Sequence, residues 1–167
     1  MARQFRGESV HKVDAKGRVS IPAAFRRVLE DCDPEFTEGS QPNLVLVYGD
    51  KYRKFMEVYS MTSMAEVDEK ILKLPRGSKA RRKLEQMYSG QAQQMQVDDT
   101  GRLVLSPKLR EKFGITTEAF FIASGDTFQI WNPEAYDEHV GDMDDFYDEY
   151  GEDFDPLTLL DSAGSGG

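Results

Sequence analysis

Hydrophobic and polar positions alternate in short runs along most of the chain, and one such pattern occurs twice. VDAKGRVSIPAAFR at 13–26 and VDDTGRLVLSPKLR at 97–110 share Val, Asp, Gly and two Arg at matching positions. Val19 answers Leu103, Ile21 answers Leu105, Phe25 answers Leu109, and Pro22 has its counterpart one place later at Pro107. Further on, LVLVYGD at 44–50 echoes FFIASGD at 120–126, and MEVYS at 56–60 parallels FQIWN at 128–132. The last pair predicts alternating strands, each ending on a helix N-cap, Ser60 or Asn132, with Pro133 suited to a first helical position. Each copy therefore reads as strand, turn, strand, short helix, strand, strand, helix.

Between the copies the period changes to that of a helix. Met64, Val67, Ile71 and Leu72 space a helix over 61–73, and Ala80, Leu84 and Met87 another over 78–89, with Pro75 and Gly77 breaking the two apart. After Asp137 acidic residues alternate with Phe146, Tyr147, Tyr150 and Phe154 before the chain runs into SAGSGG, which predicts a short acidic helix fading into disorder. The expected architecture is α+β, mainly β, from two repeated ββαββα units: 7–60 and 91–137, joined by connector helices at 61–90 and followed by an acidic, partly disordered tail at 138–167.

Charge changes this picture by its distribution. The net charge of −9 argues against a nucleic-acid partner, yet 12 of the 30 acidic residues lie from Glu134 onward, where there is no Lys or Arg. The first 133 residues hold 18 acidic against 21 basic residues, a mildly basic body. Basic residues gather at Arg3, Arg6, Lys12, Lys16, Arg18, Arg26 and Arg27, and again at Arg76, Lys79, Arg81, Arg82 and Lys83. No apolar run reaches the roughly 20 residues of a membrane span, and the opening MARQFRGESV carries no signal-like apolar core, so a cytoplasmic, membrane-free protein is expected. Cys32 is the single cysteine, without a ligand partner at metal spacing, and reads as an incidental thiol.

The candidate chemistry sits in the repeated turns. Asp14 and Asp98 open four-residue turns that Gly17 and Gly101 close, and Arg18 and Arg102 follow at once. Two readings stand. Arg at the tip of a two-stranded ribbon can bond bidentately to guanine or to phosphate in the major groove; alternatively, Asp and Arg pair with each other and stiffen the hairpin. Arg3, Arg6, His11, Lys12 and Lys16 around the first turn favour DNA there. The second turn has Asp99 and Thr100 in place of Ala15 and Lys16, so Arg102 is the poorer contact.

Other features have plain explanations. Arg26, Arg27, Arg110 and the run Arg81–Lys83 suit solvated helix faces or ion pairs, His11 and His139 suit a polar surface, and Phe128 and Trp131 suit strand packing. The acidic tail lacks EF-hand spacing, and no phosphate loop, nucleotide fingerprint or catalytic triad occurs. No enzyme, cofactor, metal or small-molecule substrate is expected.

The paired Asp-x-x-x-Arg motifs, Asp14 to Arg18 and Asp98 to Arg102, each followed by a proline and an Arg-containing helix, resemble the MraZ family of bacterial regulators over about residues 3–140. More distantly each unit resembles AbrB-like swapped-hairpin barrels. The resemblance implies a double-split β-barrel formed by both copies within one chain. It further implies a ring-shaped homo-oligomer, nucleoid association, and repression through short direct repeats upstream of a division and cell-wall gene cluster that includes the protein's own promoter. It places contact with double-stranded promoter DNA on Arg18 and Lys16, with Arg3, Arg6, Lys12 and Arg102 as further candidates, and gives Asp14, Gly17, Asp98 and Gly101 to the turns. The long loop at 31–43 and the acidic tail depart from the family pattern. The tail is expected to compete with DNA for basic faces or to keep rings from stacking. A ring-forming scaffold without specific DNA binding is the alternative; a metal-dependent enzyme built on the tail and an antitoxin-type DNA binder are the further rivals.

Overall fold

The computed structural model describes residues 3–142 and 145–161. Residues up to Pro133 form one compact unit and those from Glu134 a second. The protein is α+β and mainly β.

The first unit runs β1 (Glu8–Lys12), β2 (Arg18–Ser20), α1 (Ala23–Asp31), β3 (Asn43–Val47), β4 (Phe55–Ser60), α2 (Met61–Leu72) and α3 (Lys79–Glu85), then a π-helical turn at Gln86–Gly90. It continues with β5 (Ala92–Gln96), β6 (Arg102–Val104), α4 (Pro107–Phe113), β7 (Glu118–Ser124) and β8 (Thr127–Trp131). Six strands make one antiparallel sheet in the order β1-β7-β8-β4-β3-β5, and β2 pairs with β6 in a separate antiparallel ribbon. Among the described residues the hydrogen bonding does not close into a barrel, since β1 and β5 remain edges. Exchanging β1 for β5, β2 for β6, β3 for β7 and β4 for β8 returns the same strand order. The first strand of each half is thus carried by the other: β1 lies on β7, and β5 on β3.

Strand parity explains where the core sits. On β3, Leu44 and Leu46 face the main core while Val45 and Val47 face a second cluster with Tyr59 and Met64, so NLVLV is apolar on both sides. The main core joins both halves: Phe25 and Leu29 from α1, Val19 and Leu103 from the ribbon, Leu109 from α4, and Phe121, Phe128 and Ile130 from β7 and β8. Each such side chain contributes about 1.5–3 kcal/mol by leaving water. Phe5 meets Phe25 and Phe128 edge-on at 5.4 and 5.1 Å, which anchors the N-terminal segment to this core.

Local chemistry sets the element ends. The Ser60 and Ser106 hydroxyls accept from the N–H groups of Ser63 and Leu109 and start α2 and α4. Pro22 is the N-cap of α1, whereas Pro107 stands inside the first turn of α4, which accounts for their one-place offset. In the 31–43 loop the buried Asp33 carboxylate accepts from the Glu35 N–H at 3.0 Å and the Asn43 N–H at 2.8 Å, tying the loop's two ends together.

The second unit contains most of α5 (Pro133–Asp142), then α6 (Asp145–Tyr150) and a 3-10 turn at Pro156–Thr158. Phe154 gathers Phe146, Tyr147 and Tyr150 around it at 5.0–6.0 Å. The SAGSGG end, 162–167, lies outside the described residues.

Candidate nucleic-acid interface

Both Asp-x-x-Gly-Arg turns have the same internal wiring. The Gly17 N–H donates to the Asp14 carbonyl at 2.9 Å and the Gly101 N–H to the Asp98 carbonyl at 3.0 Å, with φ of 82° and 79° at the two glycines. Asp14 Oδ1 accepts from the N–H groups of Lys16 and Arg18 at 3.0 and 2.9 Å, and its Oδ2 accepts from Arg18 Nε at 2.6 Å. Asp98 repeats this with Thr100 and Arg102, its Oδ2 accepting from Arg102 Nε at 3.1 Å, and the Thr100 hydroxyl adds a further bond at 2.9 Å. The Arg18 N–H chiefly, with the Arg18 guanidinium and the Lys16 N–H, holds the Asp14 carboxyl below the usual carboxylate range despite some desolvation. Burial pushes Asp98 up, but the bonds from Arg102 and Thr100 outweigh it and leave that carboxyl low as well.

The stiffening pair is therefore present in both turns, and it is made through Nε. A guanidinium gripped at Nε is fixed in direction while its two terminal nitrogens point onward, the geometry a bidentate contact uses.

The turns meet in one ribbon. Arg18 lies opposite Val104 and Ser20 opposite Arg102, while the Leu105 N–H donates to the Gly17 carbonyl at 2.8 Å and the Ile21 N–H to the Gly101 carbonyl at 3.0 Å. Val19 and Leu103 point into the core, so alternation puts Arg18, Ser20, Arg102 and Val104 on the outward face. The register makes the two arginines diagonal neighbours across the ribbon, a separation of about 7–8 Å or somewhat less between Cβ atoms. Their side chains keep 36% and 32% of their surface exposed.

Arg26 and Arg110, whose places on the short helices suit solvated faces or ion pairs, take a different position. Each lies across the glycine of the opposite copy's turn: a Cβ on Gly101 would overlap the Arg26 guanidinium, and one on Gly17 would overlap the Leu105 carbonyl oxygen and crowd Arg110. Arg110 Nε donates to the Leu105 carbonyl at 3.0 Å, whereas the buried Arg26 Nε has no hydrogen-bond partner among the described residues. The signal available in sequence was their matched position in the two copies.

Of the other candidates, Lys16 is exposed in the first turn and Lys12 is exposed at the end of β1, opposite Glu118. Arg3 and Arg6 are not brought to the turn. The Phe5 N–H donates to the Gly125 carbonyl, which sets this segment at the far end of β1, roughly 20 Å of strand from Lys12; Arg3 is ion-paired with Asp31. His11 bonds the Ser9 hydroxyl at 2.8 Å, and burial holds its pKa below the ordinary histidine value. Arg81 is buried, bonded to Glu85 and to the Leu74 carbonyl at 3.0 Å, while Arg82 and Lys83 stay exposed. Among the described residues no group of three or more His, Cys, Asp or Glu is arranged around a possible metal, and no helix is long and apolar enough to cross a membrane.

Comparison with known proteins gives a consistent result. Residues 4–74 and 87–146 match the model of the MraZ protein family, which its description likens to antitoxins. The chain is 59% identical over 165 residues to the transcriptional regulator MraZ of Ruegeria pomeroyi, covering 98% of this chain and 99% of the relative. It is 44% identical over 171 residues to that of Cereibacter sphaeroides, with the same coverage, and 32% identical over 155 residues to that of Lactobacillus delbrueckii subsp. bulgaricus, covering 93% of this chain and 99% of the relative.

Proposed function

The chain belongs to the MraZ family, and from that premise we propose that it is a transcription regulator, not an enzyme, binding double-stranded promoter DNA through the ribbon formed by its two Asp-x-x-Gly-Arg turns. The observation that carries this reading is the shared outward face of Arg18 and Arg102, each aimed by a carboxylate at its Nε. Arg18 and Lys16 are the principal contacts and Lys12 extends them along β1. Arg102 is the secondary contact, because Asp99 and Thr100 beside it bring no positive charge. Arg6 contributes only at a distance from the ribbon, and Arg3 only by leaving Asp31. Asp14, Gly17, Asp98 and Gly101 shape the turns. We also propose the division into copies at 7–60 and 91–137, the connector at 61–90 and the tail at 138–167.

The finer reading is a repressor acting in the cytoplasm on nucleoid DNA, at short direct repeats ahead of a division and cell-wall gene cluster that includes its own promoter, as a ring of identical copies. A few cationic contacts give weak, salt-sensitive binding. Several ribbons engaging several boxes raise it by ~100-fold or more through effective concentration.

The test is fluorescence anisotropy of wild type and Arg18→Ala on the DNA upstream of the protein's own gene and on shuffled DNA, at two salt concentrations, with the oligomer followed by size-exclusion chromatography. Preference for the upstream DNA, lost in the variant while the oligomer persists, is the expected outcome. Loss of the oligomer in Arg18→Ala, or no DNA binding by either protein, supports the scaffold reading instead.

A further inference from the structure

An apolar cleft opens between α2 and α3, away from the ribbon. Val67, Ile71, Leu74 and Leu84 line it together with Tyr59, Tyr88 and the exposed Lys70; its volume is about 360 Å³, within the range of ligand-binding clefts. The surrounding chain is strongly basic. From Lys70 to Leu84 there are seven Lys or Arg and no acidic residue, and all but Arg81 are exposed. Tyr59 lies under this cleft with its hydroxyl on Glu57 at 2.5 Å, and burial with that carboxylate holds it protonated at any ordinary pH.

One segment of the chain has the complementary character. The Asp155 carboxylate accepts from the Leu157 N–H at 3.0 Å and starts a single helical turn with Pro156 in its first positions. Leu157 in that turn and Leu160 in the helical residues that follow it are three apart, and they are 70% and 68% exposed. Asp155 and Asp161 bracket them, and the chain between Glu134 and Asp161 carries 12 acidic and no Lys or Arg residues. An acidic turn with two exposed leucines suits a basic-lipped apolar cleft, a small case of an amphipathic helix in a groove. We propose that Asp155–Asp161 of one copy docks in the α2–α3 cleft of a second copy, with Leu157 and Leu160 inserted and the flanking carboxylates against Lys70, Lys73 and the α3 basic residues. The contact joins two different surfaces, so it links copies head to tail.

The test uses full-length chains with single introduced cysteines. Leu84→Cys chains carrying one tag are mixed with Leu160→Cys chains carrying another, oxidised mildly, and resolved without reductant; a disulfide requires the two Cα atoms to come within about 7 Å. The expected result is a dominant cross-link between the two tags. It should fall at least fivefold when Leu157→Asp is added to the tail, and at least threefold with Lys70→Glu on the cleft or in 0.5 M salt. A fluorescein-labelled peptide of residues 150–161 should bind Leu157→Asp/Leu160→Asp chains and lose that binding with Lys70→Glu. The proposal is overturned if the mixed cross-link does not exceed that of a Tyr52→Cys control. It is equally overturned if closure occurs only within a chain bearing both cysteines, which would make the occupant the chain's own tail, or if the peptide does not bind. None of these outcomes depends on DNA.

Discussion

Gly17 holds its turn at φ 82°, and an added methyl would meet the Leu105 carbonyl that the cross-ribbon hydrogen bonding brings close. Gly17→Ala is therefore expected to lose about 1–3 kcal/mol of stability from backbone strain and overlap. Gly77→Ala, with open space around it, should stay within about 1 kcal/mol of wild type or gain slightly; denaturant unfolding of the two variants checks both. Asp14 and Asp98 supply the pH dependence. Their folded pKa values lie below the ordinary value of about 3.9, so their stabilisation is present above that value and disappears as pH falls through the depressed folded values. The double variant Asp14→Asn/Asp98→Asn should be less stable than wild type at neutral pH, and its stability should fall less between pH 4 and pH 2; unfolding curves across that range decide it. At this scale the turn and the Asp–Arg pairing were legible in the sequence, and the structure makes that pairing through Nε in both copies. It could not distinguish Arg81 from Arg82 and Lys83, because only the packing of α3 decides which of three adjacent charges turns inward to Glu85 and the Leu74 carbonyl.

The elements follow from local rules wherever a cap or an apolar period is present. Ser60 caps α2 while fully buried beside Ser63, so Ser60→Ala removes an acceptor from an interior N–H. It is expected to cost about 1–2 kcal/mol, measured as a shift in thermal unfolding with the fold retained by circular dichroism. The helix read at 78–89 divides into α3 at Lys79–Glu85 and a π-helical turn at Gln86–Gly90. Spacing alone does not separate these, since Leu84 and Met87 lie three apart on either reading. β3 shows a similar limit. A run buried on both faces has no alternation to disclose, and the second cluster under Val45 and Val47 exists only because α2 folds back over the sheet.

For the molecule as a whole, the charge of −9 coexists with a basic ribbon because the acidic residues concentrate after Pro133. If the ribbon binds phosphates, Lys16→Ala should weaken binding equally on all DNA sequences and reduce the salt slope by about 1. Anisotropy across a salt series reads this directly, and an unchanged slope would remove Lys16 from the contact. The sequence by itself determined the repeated motif, the turn chemistry that bends each hairpin and the short apolar strands, because turns, caps and alternation act over a few neighbouring residues. Pairing partners were beyond its reach. A β1 that satisfies β7 would satisfy β3 equally well by pattern, and two copies with one pattern have more than one way to join; exchange was suggested only by resemblance to swapped-hairpin proteins. Tertiary structure decided that the first strands change halves, that β2 and β6 bring Arg18 and Arg102 onto one face with Arg26 and Arg110 behind the opposite turns, and that Arg3 and Arg6 lie a strand's length away. Those choices rest on burying one shared core from both halves, an energy distributed over residues far apart in the chain and written in no single segment of it.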